Sequence, residues 1–372
     1  MSKIRLAYVT HGLSSNGIES LLLSIMKHTD TEKYDVSFVI AIDEGVECLH
    51  EKTVRSLGAK VIRVCDMDSL KKKYVYMKSL ENIFRENEFD IVHANMDLLN
   101  GIVLRAAKKA GIKKRICHAH NSSSQYAITG DKNFVLKTAQ KIYQFVMKKL
   151  IIKNSTVLLG CSDKANEYLY EKKAKDAVVI NNGIELDPFI NGKEKAAENI
   201  KTASVNLVTV GRLSAQKNPI FIVEIIKELS LLRQDFVLNW VGAGEMEEQV
   251  KSAVKNNNLS AYINFTGVRT DVADILHSSD YFVFPSLFEG LGIVLIEAQA
   301  AGVECFASTE VPSLADLGAC HYLPLDIGAK KWAEYIDSTI NSGEHLTADK
   351  EKIERFDIRK TVSDLDKIYS EE

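Results

Sequence analysis

The six cysteines of this chain include no C-x-x-C pair, and no histidine cluster completes a zinc-ligand spacing, which argues against structural zinc. No apolar run approaches the ~20 residues that a membrane-spanning helix needs. No export signal is expected, since Met1, Lys3 and Arg5 lead directly into a strand-like segment, and the expected compartment is the cytoplasm with reduced thiols. There is no repeat at a solenoid period and no low-complexity tract. A net charge of -3 gives no bulk affinity for nucleic acid.

What is present is ordinary for a soluble globular protein: 46% hydrophobic and 26% charged residues. At ~100–200 residues per domain, 372 residues imply two domains. Their charges differ. Residues 1–190 hold 29 Lys and Arg against 22 Asp and Glu, whereas 191–372 hold 18 against 28. Between Leu98 and Ser162 there are twelve basic residues and one acid, Asp131.

Short apolar runs at 4–9, 36–41, 91–93, 116–118, 157–159 and 178–180 alternate with helical patterns, which predicts a parallel sheet. The polar stretch 181–202 contains Gly183, Pro188 and Gly192 and reads as the interdomain region. The alternation then restarts at 205–210, 236–241, 262–266, 281–284 and 305–307. The expected class is therefore α/β, with two doubly wound parallel-sheet domains. Each domain is expected to bind ligands at the carboxyl ends of its strands, at a shared cleft. The last stretch, 349–372, has the pattern of amphipathic helices.

The strongest local signal is Val208-Thr-Val-Gly-Arg212-Leu-Ser-Ala-Gln-Lys217-Asn-Pro219, a strand, a turn and a helix start. Pro suits the first helical turn, and Arg212 and Lys217 lie where helix N-H groups also attract anions. The alternative is two solvated cations on a loop. A second signal runs from Phe284 through Glu289-Gly290-Leu291-Gly292 to Glu297, two carboxylates around a glycine turn. Ionised carboxylates accept hydrogen bonds from vicinal diols, so the pair suits a sugar and a ribose. Glu297, embedded among apolar residues, is poorly explained as a solvated helix charge.

The loop after the first strand, with Asn16 and Gly17, could approach a phosphate. Gly242-Ala-Gly244 is followed by acids and lacks the third glycine of a dinucleotide motif. His93, His118 and His120 end first-domain strands, with 118 and 120 on one strand face. They read either as satisfied structural residues or as groups facing the cleft. From 132 to 153, lysines interleave with apolar residues, which fits a basic membrane-surface helix or a core-facing helix with a solvated lysine face.

Taken together, these motifs resemble the retaining GT-B glycosyltransferases of family 4 (glycosyltransferase group 1), of the bacterial capsule or exopolysaccharide type. The resemblance spans almost the whole chain. It rests on Gly211-Arg212-Leu-Ser-Ala-Gln-Lys217-Asn-Pro, on Glu289 and Glu297, and on the order of 118–122, 182–185, 241–245 and 265–269. It implies a GT-B fold, two Rossmann-like domains facing across a cleft. The first, 1–185, would bind acceptor, followed by a linker at 186–202. The second, 203–356, would bind donor, with a helix at about 357–372 returning to the first domain.

By the same resemblance, Arg212 and Lys217 hold the diphosphate of a nucleoside diphosphate sugar, expected to be a UDP-sugar, and Glu297 holds the ribose. Glu289 and His120 act at the reacting sugar, with Gly290, Leu291 and Gly292 assisting. Gly267, Val268 and Arg269 lie beside the base, and Asn16 and Gly17 near phosphates and acceptor. His93 and His118 fall on the acceptor side. The expected reaction is metal-independent hexosyl transfer, with retention, to a glycan or polyprenyl-diphosphate-linked saccharide, and no cofactor. The basic region at 98–153 would meet an anionic membrane. No Asp-x-Asp sits at a strand end; Asp66-Met-Asp68 reads as a helix cap. Glu304 stands where the family often has proline. The rival readings are a UDP-sugar epimerase of the same fold and a non-catalytic sugar-binding protein.

Overall fold

The computed structural model describes residues 3–14, 17–46, 48–65, 70–121, 134–192, 200 and 202–371, with backbone alone at 70–71 and 134–137. Asn16, Asp66 and Asp68 lie outside the described residues. The chain forms two compact units, 1–183 with 358–372, and 184–357.

Unit 1 is built on β1 (Ile4–Thr10), β2 (Tyr34–Ile40), β3 (Lys60–Arg63), β4 (Ile91–Ala94), β5 (Lys114–Ala119), β6 (Val157–Gly160) and β7 (Val178–Val179). All pair in parallel, in the order β3-β2-β1-β4-β5-β6-β7. Unit 2 contains β8 (Val205–Val210), β9 (Phe236–Val241), β10 (Ile263–Gly267), β11 (Tyr281–Phe284), β12 (Glu304–Ser308) and β13 (Cys320–Leu323). Its order is β10-β9-β8-β11-β12-β13, again parallel. Each order reverses beside the unit's first strand, between β1 and β4 and between β8 and β11. In open α/β sheets such a switch point is where ligands bind.

The central strands read as continuous apolar runs because helices cover both faces. In β9 every residue is buried. The edge strands β3 and β13 are less buried and were not evident from the hydrophobic runs.

One boundary differs from the sequence expectation. The segment 186–202 was expected to be a linker, yet Leu186 is buried and Asp187–Ile190 is a helix within unit 2. His277 Nε2 lies 3.0 Å from the Pro188 carbonyl, and Leu186 belongs to the core around Phe282 and Leu295. The terminal stretch is divided between the units. The helix Lys350–Glu354 belongs to unit 2, while Ile358–Ser370 belongs to unit 1 and buries Ile358, Leu365 and Tyr369.

Candidate active site

In unit 2 the loops that leave β8, β9, β10 and β11 are tied to one another at the carboxyl edge. Gly211 N donates to the Val241 carbonyl, Gly242 N to the Gly267 carbonyl and Leu287 N to the Gln216 carbonyl. Gly242 has a packing reason: a Cβ there would lie 2.0 Å from the Gly211 carbonyl oxygen. The 242–244 motif therefore serves a close approach of loops.

After β8 a short 3-10 turn, Ala215–Lys217, precedes the helix Pro219–Leu232, which has Pro at its start as expected. Asn218 is left-handed, φ 52°. The residue before a proline is disfavoured in the right-handed helical region, and Asn tolerates the alternative. This turn presents Lys217, whose Nζ donates to Glu289 Oε1 at 2.7 Å. Glu289 is 8% exposed and Lys217 22%, so the pair is largely shielded from water. Gln216 Nε2 donates to Glu289 Oε2 at 3.3 Å and to the Phe288 carbonyl at 3.1 Å. The Lys217 ammonium also lies 4.6 Å from the Phe284 ring centroid. The two strongest sequence motifs thus meet.

The other predicted residues of unit 2 are more dispersed in environment. Arg212 is exposed, with its Nε 3.2 Å from Glu245 Oε2. Gly290 is half-buried, Leu291 is buried, and Gly292 adopts φ 85° before the helix Ile293–Ala300. Glu297 sits on that helix, where burial pushes its carboxyl up to about 7. Gly267 has φ 70°, Val268 is exposed, and Arg269 Nε donates to Asp271 Oδ1 at 2.8 Å.

In unit 1, Thr10, His93, Asn95, His118 and His120 lie near the carboxyl ends of β1, β4 and β5, and all are buried. His93 Nε2 is 3.1 Å from His118 Nδ1, and the rings of His118 and His120 are 4.2 Å apart. His120 Nε2 is 2.9 Å from Asn95 Oδ1, while Asn95 Nδ2 donates to the His93 carbonyl. From the opposite side, the Tyr369 hydroxyl lies 2.7 Å from His93 Nδ1 and 3.0 Å from the Tyr8 hydroxyl. Burial lowers His93 to about 3 and His120 to about 4, and holds His118 well below the ordinary range. All three are neutral near pH 7. Gly17 is exposed at the start of the helix Gly17–His28.

A family model described as glycosyl transferases group 1 matches residues 191–355, and one described as glycosyltransferase family 4 matches 15–188. The chain belongs to the group 1 glycosyltransferases. It is 28% identical to a Bacillus subtilis protein named as the glycosyltransferase EpsF, over 92% of this chain and 89% of that one. It is 26% identical to the capsular polysaccharide biosynthesis glycosyltransferase CapH of Staphylococcus aureus, over 98% of each. It is also 28% identical to an Escherichia coli enzyme named UDP-Gal:alpha-D-GlcNAc-diphosphoundecaprenol alpha-1,3-galactosyltransferase, over 82% of this chain and 80% of that one. Among solved structures, Anabaena HepE in complex with UDP superposes with a TM-score of 0.77 at 15% identity, over 99% and 100% of the two chains. That likeness carries the GT-B fold.

Within this group 1 glycosyltransferase, sequence reasoning missed Gln216, Asn95 and Tyr369. Gln216 lies between the two flagged cations and Asn95 two residues after a flagged histidine, so each had a local signal. Tyr369 had none, being 276 residues from His93. Among the described residues, no group of three or more His, Cys, Asp or Glu side chains is arranged to hold a metal ion, and no helix is long and apolar enough to cross a membrane.

Proposed function

We propose that the protein transfers a hexosyl unit from a UDP-sugar to a hydroxyl of a glycan or polyprenyl-diphosphate-linked saccharide in capsule or exopolysaccharide synthesis, with retention of anomeric configuration. The observation that carries this reading is the Lys217–Glu289 pair at the carboxyl edge of unit 2. An ammonium has three N-H donors, and Glu289 takes one of them, leaving two for phosphate oxygens. A carboxylate has about four lone-pair sites, and Lys217 and Gln216 use two, leaving others for sugar hydroxyls. The pair therefore orients one group for the diphosphate and one for the transferred sugar.

Departure of a nucleoside diphosphate is helped when fixed cations meet its growing charge. Arg212 and Lys217 supply that charge, and the reading assigns no role to a metal. Glu297 takes the ribose, 267–269 flank the base, Asn16 and Gly17 approach the phosphates and acceptor, and His120 faces the reacting sugar. His93 and His118 lie on the acceptor side. The donor class is supported by the names of relatives: the E. coli enzyme is named for UDP-Gal, and HepE was solved with UDP-glucose. The same E. coli name and an N-acetylgalactosaminyltransferase of Campylobacter jejuni, 24% identical over 80% of this chain and 79% of that one, specify diphosphoundecaprenol-linked acceptors.

A lipid-linked acceptor requires approach to a membrane. The helix Phe134–Asn154 exposes Ile142, Phe145 and Val146 together with Lys141, Lys149 and Lys153. An outward face that mixes apolar and cationic side chains suits an anionic lipid surface.

The direct test incubates the protein and a panel of UDP-sugars with polyprenyl-diphosphate-linked saccharides, with EDTA or magnesium, and determines product linkage by NMR. A new glycosidic bond of retained configuration, formed equally in EDTA, is expected. Release of only free or epimerised sugar would remove the transferase reading in favour of an epimerase.

A further inference from the structure

The buried polar cluster of unit 1 contains a chain of hydrogen bonds whose direction can be worked out. Tyr8, Tyr369, His93 and His118 are linked hydroxyl to hydroxyl to ring to ring, at 3.0, 2.7 and 3.1 Å. Each link has one proton, and His93 either accepts or donates at Nδ1. In the first case, Tyr8 donates to Tyr369, Tyr369 to His93 Nδ1, and His93 Nε2-H to His118 Nδ1. Both phenol protons then have acceptors. With His93 Nδ1-H donating to Tyr369 instead, the proton of either Tyr8 or Tyr369 leaves the chain, where no acceptor is found among the described residues, and an unmade bond at a buried donor costs about 1–3 kcal/mol. The first order is therefore favoured, and it leaves His118 with its proton on Nε2.

His120 is settled independently. Asn95 uses its amide N-H toward the His93 carbonyl, so its Oδ1 is the acceptor and His120 Nε2 the donor. A neutral imidazole carries one proton, so His120 Nδ1 is an acceptor. His118 Nε2 and His120 Nδ1 are both buried and have no hydrogen-bond partner among the described residues. Thr10 Oγ1, on the neighbouring strand face, is in the same condition.

We propose that Tyr369, on the C-terminal helix, is a positioning residue that sets the proton order through His93, so that His118 Nε2-H and His120 Nδ1 form a matched donor and acceptor for one substrate hydroxyl. A hydroxyl both donates and accepts, and so satisfies both nitrogens at once. Reversal at His93 converts His118 Nε2 to a second acceptor, and a single hydroxyl cannot donate to both rings. The identity of the bound group as a substrate hydroxyl rests on the glycosyl-transfer reading. The proton order does not.

The test uses the full chain with 15N-labelled histidine, assigned through His93→Asn and His118→Asn variants. Long-range 1H–15N NMR on the wild type is expected to show His93, His118 and His120 protonated at Nε2. In Tyr369→Phe, which keeps the ring, His93 and His118 are expected to populate the Nδ1-H form. Transfer kcat is expected to fall tenfold or more, while the thermal shift produced by UDP at unit 2 stays unchanged. Protonation of wild-type His93 at Nδ1 overturns the proposal even if the variant does not fold. Unchanged tautomers and kcat in Tyr369→Phe overturn it as well. A wild type that shows the expected tautomers but transfers no sugar overturns the glycosyl-transfer reading and leaves the proton order standing.

Discussion

Lys217 and Glu289 each hold the other in position, so their loss should be read in rate before stability. On the proposed function, Lys217→Ala removes a charge assigned to the leaving diphosphate, and loss of one such electrostatic contact costs about 10²–10³ in kcat. Steady-state transfer with circular dichroism as a fold control checks this; activity within threefold of wild type would move the phosphate site elsewhere. Glu297 makes a second, pH-dependent prediction. Its carboxyl is raised to about 7 by burial, so the folded state holds a proton that the unfolded state releases above about 4.5. Its contribution to stability is therefore present at low pH and lost as pH rises through 7. Glu297→Gln should stabilise unit 2 more at pH 8 than at pH 5, by on the order of 1–3 kcal/mol of unfolding free energy, seen as a larger rise in Tm at pH 8. If Glu297 takes the ribose as proposed, UDP binding measured by calorimetry should strengthen between pH 6 and 8 in the wild type and not in this variant. Glu297 stood out in the sequence because a carboxylate among apolar residues conflicts with its surroundings, and Lys217 because it sits between a strand and a helix start. Gln216 stood out less, because a polar side chain in a polar loop carries no such conflict.

Strands were legible where their residues form an apolar run, even at an edge as exposed as β7. The runs at 205–210, 236–241 and 281–284 match β8, β9 and β11 because their environment is apolar in every direction. The edge strand β13 has only Leu323 buried, and β3 has no buried position. Glu304 belongs to this scale. It opens β12, at the amino edge and so opposite the Lys217–Glu289 pair, and is 2% exposed. His321 Nε2 at 2.6 Å and His345 Nδ1 at 3.2 Å engage its two oxygens, and the Tyr335 hydroxyl lies 3.0 Å from His321 Nδ1. The carboxylate ties β13 and the segment around His345 to β12. Glu304→Ala should destabilise unit 2 by about 2–4 kcal/mol, since charge-assisted hydrogen bonds are worth about 1.5–3 each and two histidines lose their acceptor. Calorimetry checks this, and UDP binding should persist at temperatures below the transition. The helix Phe134–Asn154 gives a further test: flotation should bring the protein up with anionic and not with neutral vesicles, and Phe145→Glu should abolish it. Equal binding to both would remove the membrane contact.

At the scale of the whole molecule, the two units carry buried groups of opposite pH dependence. His93, His118 and His120 in unit 1 are lowered, so the unfolded chain takes up protons below about 6.5 that the folded unit refuses until far lower pH. Unit 1 loses stability as pH falls, at about 1.4 kcal/mol per pH unit for each such group. Glu297 pulls unit 2 the other way. Scanning calorimetry from pH 8 to pH 5 should move the unit 1 transition down relative to that of unit 2, and a parallel shift of both would count against the buried neutral histidines. The two-domain organisation was legible from the restart of strand-helix alternation. The exact division was not, because the apolar residues Leu186, Phe189 and Ile190 are few, are interrupted by Asp187 and Pro188, and lie within an otherwise polar stretch. The return of Ile358–Ser370 to unit 1 has one more consequence. On the ribosome, β1 to β7 emerge first, but Tyr8 and His93 must wait for Tyr369, more than 270 residues later, to complete their hydrogen bonds. Unit 2 lies between and is contiguous from 184 to 357, so it can finish folding while its elder neighbour is still open. The part of the chain made first is the part completed last.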